Sequence, residues 1–231
     1  MVNFLLKFIG FLAFVPMKLI AIVVRLEVHG VEHIPQGGYI LCPTHMGDLD
    51  AYLTRRALRN NIPFDKWNRY LYRLESGPWV RRLFLTWWGG WILENTGPNV
   101  GALRAALQWL EQEHPVTIFP EGHQHGESTF YHGAAFLACR SDKPLLPLVI
   151  DRGVFVAEGT PFYIFPFVVL WRYLRRARQV SLRFCEPLQP DLERYHDEGH
   201  RYLECLTKQL VKRITKEEPR TSRQDRGEKQ Q

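Results

Sequence analysis

Short, almost wholly apolar runs separated by amphipathic segments constrain this chain most. Residues 39–42, 116–119 and 145–150 are such runs, each short enough for a strand and greasy enough for burial on both faces. Between the first two, Leu103, Ala106, Leu107 and Leu110 share one face of a helix expected over 101–113. Further strands are expected over 26–29, 87–93 and 180–185. Helices are expected from an Asp48 cap through Leu58, over 67–84, over 133–140 and over 191–214, with Asn99 capping the helix that follows the turn at 96–99. Strands that alternate with helices predict an α/β fold with a mostly parallel central sheet flanked by helices.

The chain has 231 residues, 45% of them hydrophobic, which suffices for the core of one domain. Its net charge of +6 directs it to phosphate-bearing partners, either an anionic membrane surface or nucleic acid. No nucleic-acid motif accompanies the charge, so a membrane lipid is the expected partner and nucleic acid is not. Cys42, Cys139, Cys185 and Cys205 are widely spaced, which predicts free thiols in a reducing compartment.

Residues 1–25 are expected to form a membrane-associated helical segment. Lys7, Lys18 and Arg25 interrupt an apolar stretch at steps that return to nearly one helix face, and Phe4, Phe8, Phe11 and Phe14 cover the rest. That pattern describes a helix lying in the membrane interface, kinked at Pro16. A spanning anchor whose lysines snorkel is the alternative. No small-residue cleavage site follows, which argues against a secretory signal. The folded domain is expected over 26–215, and a polar, disordered tail over 216–231.

Two motifs carry the chemistry. Thr44-His45-Met46-Gly47-Asp48-Leu49-Asp50 follows the strand at 39–42, and Phe119-Pro120-Glu121-Gly122 closes the strand at 116–119. His45 and Asp50 are five apart, about 140° around a helix. They meet only if His45 lies in the loop and Asp50 in the first helical turn. A carboxylate-held imidazole is a general base near neutral pH. Both motifs fall past the carboxyl ends of their strands, where open α/β sheets bind ligands.

Three other features invite rival readings. His123, His125 and His132 with Glu121 resemble a metal-ligand set, but the strand–turn context already accounts for Glu121, and no metal is expected. Cys42 stands three residues before His45, which invites a thiol nucleophile; its strand position points it inward instead. An aromatic stretch over 162–171 precedes Arg172, Arg175, Arg176 and Arg178. It fits either a membrane-facing lip or a buried segment with a solvated basic end.

Taken in order, His45 with Asp50, Phe119 to Gly122, and Leu146-Pro147-Leu148-Val149-Ile150 resemble the glycerolipid acyltransferase family, which includes the 1-acyl-glycerol-3-phosphate acyltransferases. Leu26-Glu27-Val28-His29-Gly30-Val31-Glu32-His33-Ile34-Pro35 and Gly133-Ala134-Ala135-Phe136-Leu137-Ala138 are similar to that family's flanking segments. The resemblance implies transfer of a fatty acyl group from acyl-CoA or acyl-carrier protein to a lipid hydroxyl, with no bound cofactor, at the cytoplasmic face of a membrane. It implies His45 as general base, Asp50 as its orienting partner, and Glu121, Gly122, His123 and Gln124 in acceptor binding. The sequence departs from the family twice. His123-Gln124-His125 stands where Thr-Arg-Ser is usual, and Glu94 stands where an arginine ends the second motif. Arginine suits phosphate through its paired donors, so an acceptor without a phosphomonoester is expected, unless Arg55, Arg56, Arg81 or Arg82 substitutes.

Overall fold

In a computed structural model of the chain, the residues described are 24–46, 50–59, 68–73, 90–93, 99–121, 130–151, 165–176 and 179–217. Residues 1–23 of the expected N-terminal helical segment and most of the tail lie outside them, while Arg25, expected on the cationic face of that helix, instead opens a strand that pairs with residues 179–183. Seven strands form one sheet: β1 (Arg25–His29), β2 (Ile40–Pro43), β3 (Arg69–Arg73), β4 (Gly90–Leu93), β5 (Val116–Ile118), β6 (Leu145–Ile150) and β7 (Gln179–Phe184). Their order is β1-β7-β6-β2-β5-β3-β4. The five strands from β6 to β4 run parallel. β7 turns antiparallel to β6, and β1 lies parallel to β7. The expected mostly parallel sheet is present, with a reversed pair at one edge.

Alternate side chains of the central strands feed two cores, as the two-residue period of a strand requires. Ile40, Val116, Leu145 and Val149 pack with helices α2 (Val100–Glu111), α3 (Gly133–Ser141) and the inner face of α6 (His200–Glu217). Tyr39, Leu41, Leu146 and Leu148 face the other way, against Leu53 and Leu58 of α1 (Asp50–Leu58), β1 and β7. Leu170 of α4 (Phe165–Arg176) packs on this second core.

Two further expectations fail within the described residues. The helix expected over 67–84 is β3 at residues 69–73, paired on both sides with β5 and β4. Tyr70 and Leu71 are both buried there, and Tyr-Leu-Tyr is rich in strand-favouring aromatics. The basic residues around it suggested a helical face. Residues 74–84 lie outside the described set. The terminal helix expected over 191–214 is two helices, α5 (Leu192–Glu198) and α6, broken at Gly199 with φ 54°. The break sits where glycine supplies the conformation that other residues resist. Asp191 caps α5 by accepting the Arg194 N–H at 3.1 Å. α6 runs to Glu217, two residues past the expected domain boundary. Asn99 takes the N-cap position of α2, but its side chain makes no cap hydrogen bond there. Asp48 lies outside the described residues.

Gly30 fixes how β1 leaves the sheet. Its φ of 71° lies in the left-handed region, and a Cβ there would run into the backbone carbonyl of Phe184 in β7. Gly30→Ala is expected to destabilise the fold by about 2 kcal/mol through strain and clash together. Chemical denaturation checks this, and an unchanged midpoint at unchanged slope contradicts it.

Candidate active site

β2 and β5 are neighbours, with Leu41 opposite Thr117. His45, two residues past the end of β2, sets its ring against that of Phe119, one residue past the end of β5. The two motifs therefore emerge side by side at the carboxyl edge of the parallel strands, as the sequence placed them.

A bracket of hydrogen bonds holds the segment that carries His45. The Thr44 N–H donates to the Leu148 carbonyl at 2.9 Å. The Thr44 hydroxyl is buried between β2 and β6; it accepts the Ile150 N–H at 2.8 Å and donates to the Ile150 carbonyl at 3.4 Å. On the other flank, the Tyr70 hydroxyl donates to the Ala51 carbonyl at 2.9 Å and ties the first turn of α1 to β3. Asn68, the residue before β3, donates to the Thr117 hydroxyl of β5. These contacts fix both the loop before the imidazole and the helix behind it.

Asp50 opens α1 and is only 1% exposed. Its Oδ2 lies 2.8 Å from His45 Nδ1 and accepts the Met46 N–H at 2.6 Å. In the neutral imidazole, this carboxylate selects the tautomer with the proton on Nδ1 and leaves the lone pair on Nε2. The His45 side chain is 16% exposed, enough to reach a ligand, and its ring lies 4.8 Å from that of Phe119, centroid to centroid. Glu121 is 5% exposed, at the turn after β5. The Pro120 carbonyl beside it accepts the Tyr131 N–H at 2.9 Å, so the chain returns to the same edge just before α3.

The structure thus brings together His45, Asp50 and the turn carrying Glu121. Gly122, His123, Gln124, His125 and Glu94 lie outside the described residues. Cys42 is fully buried, and burial pushes its thiol far above the usual range, so it supplies no thiolate. Of the arginines considered for phosphate, Arg56 donates to the Val24 carbonyl at 3.0 Å and ties α1 to the start of β1. Arg55 is half-buried in α1; Arg81 and Arg82 lie outside the described residues. The roles of Thr44, Tyr70 and Phe119 were missed in the sequence. Thr44 and Phe119 stand within the two motifs, and their position was the only signal.

A model of the acyltransferase family matches residues 25–151, more than half of the 231-residue chain. The chain belongs to the acyltransferase family. Among solved structures, it is similar to PlsC, the 1-acyl-sn-glycerophosphate (LPA) acyltransferase of Thermotoga maritima, at 18% sequence identity and a TM-score of 0.49. That match covers 91% of this chain and 80% of the other.

Proposed function

We propose that the chain is a membrane-associated O-acyltransferase that moves a fatty acyl group from a thioester to a lipid hydroxyl. The observation that carries this reading is the 2.8 Å contact between His45 Nδ1 and the buried Asp50 carboxylate, at the edge where β2 and β5 end. His45 Nε2 takes the proton of the acceptor hydroxyl as its oxygen attacks the thioester carbonyl. The tetrahedral intermediate collapses, the C–S bond breaks, and the leaving thiolate takes the proton back from the imidazolium. The Asp50 carboxylate stabilises that imidazolium while it lasts. Backbone N–H groups at the strand ends are the candidate donors to the oxyanion. The cycle is redox-neutral and needs only the thioester donor, acyl-CoA or acyl-carrier protein, as co-substrate.

The reading places the site at a lipid surface. Phe167 and Trp171 stand one helical turn apart on α4, 62% and 56% exposed, and the Arg175 guanidinium lies 4.3 Å from the Trp171 ring centroid. An exposed aromatic edge beside cations supports a membrane-facing lip over a buried segment. No helix among the described residues is long and apolar enough to cross a membrane.

Release of free thiol from acyl-CoA, with and without a panel of lyso-lipids, tests the function. The expected result is release that depends on an acceptor, strongest with acceptors lacking a phosphomonoester. Release without any acceptor identifies a hydrolase, and no release identifies a silent lipid binder. Saturating turnover with lysophosphatidic acid and none with neutral acceptors overturns the acceptor assignment.

A further inference from the structure

Away from the His45 edge, His132, His200 and Glu204 form a cluster whose ligand atoms all lie within 4.8 Å of one another. His200 and Glu204 are one turn apart at the start of α6, with His200 Nε2 3.5 Å from Glu204 Oε1. Two donors of a tetrahedral zinc ion, each at about 2.0–2.1 Å, stand roughly 3.3 Å apart. The pair is thus already spaced as two ligands of one ion. His132 comes from a different element, the N-cap position of α3, and its ring meets that of His200 edge-on with centroids 5.3 Å apart.

The third ligand is oriented by a buried hydroxyl. Thr207 Oγ1 donates its one proton to the Leu203 carbonyl at 2.8 Å and lies 3.0 Å from His132 Nδ1. With that proton committed, the hydroxyl accepts from Nδ1–H, and the Nε2 lone pair of His132 is left for a ligand. Metal-binding histidines are held this way, with the second ring nitrogen donating to an oxygen that fixes the tautomer. A His–His–carboxylate set suits zinc and its neighbours rather than calcium or magnesium, which take oxygen donors.

We propose that His132, His200 and Glu204 bind a divalent transition-metal ion of the zinc type, with water completing the coordination. The ion staples the start of α3 to the start of α6. Tyr131, the residue before His132, is bonded through its N–H to the Pro120 carbonyl. The staple therefore steadies the return strut of the Glu121 turn and takes no part in the chemistry at His45. This set differs from the one the sequence offered, which joined His132 to His123, His125 and Glu121.

The test uses the full-length chain after chelator treatment, titrated with Zn2+ and separately with Co2+. Expected are saturable binding of one ion, visible d–d absorption from tetrahedral Co2+, and a rise in Tm with Zn2+. His200→Ala and Glu204→Gln, both on the exposed side of α6, are each expected to weaken binding about ten-fold or more and to abolish the rise in Tm. Absence of saturable binding overturns the proposal. So does binding that both variants retain, since it would reside elsewhere.

Discussion

His45→Ala is expected to lower kcat for acyl transfer by about 10⁴-fold, the upper end of what a positioned general base contributes. The imidazole is held on one side by Asp50 and on another by the Phe119 ring, so its Nε2 has a fixed direction before any substrate arrives. Alanine leaves the Thr44 bracket between β2 and β6 intact, and Tm should fall little. The pairing of lost turnover with retained stability is the diagnostic result. Steady-state rates with a saturating acceptor, measured beside thermal unfolding, decide it. Turnover within a few-fold of the parent would remove His45 from the chemistry.

Asp50→Asn carries the second largest effect, a fall in kcat of about 10³-fold. One carboxylate oxygen serves both His45 Nδ1 and the Met46 N–H. An asparagine oxygen in that place keeps both bonds but brings no negative charge to meet the imidazolium. Turned the other way, the amide presents N–H to a ring nitrogen that should itself donate, and the lone pair then sits on the wrong side of the ring. Either outcome weakens the base without emptying the site. The change should therefore fall on kcat far more than on KM for either substrate. Comparable losses in the two parameters would instead mark Asp50 as a substrate-binding group.

Much of this site was legible because its signals are local. The HxxxxD spacing demands a loop residue followed by a first-turn residue, and the structure supplies both, with Asp50 as the first residue of α1. The Pro-Glu-Gly turn after an apolar run marks a strand end equally well. Non-local features were opaque. Thr44 looks like any strand-end threonine until Ile150, more than a hundred residues later, is seen to use its hydroxyl twice. β3 was hidden because Arg69-Tyr70-Leu71-Tyr72-Arg73 is short and lies among basic residues, and its burial comes from neighbours on both sides. Gly199 carried a legible stop signal, which the expectation of one helix over 191–214 passed over. The His132–His200–Glu204 cluster joins residues near opposite ends of a long separation in sequence, and no spacing rule announces it.

The sheet order also dictates how the molecule can be assembled. Arg25 lies beside Gln179, so β1 finds its strand partner only after β7 has been synthesised. Until then β6 offers a bare flank of unsatisfied amides and carbonyls, the kind of surface on which chains aggregate. Closure of so distant a pairing is slow, so β1 is expected to dock on β7 late in folding.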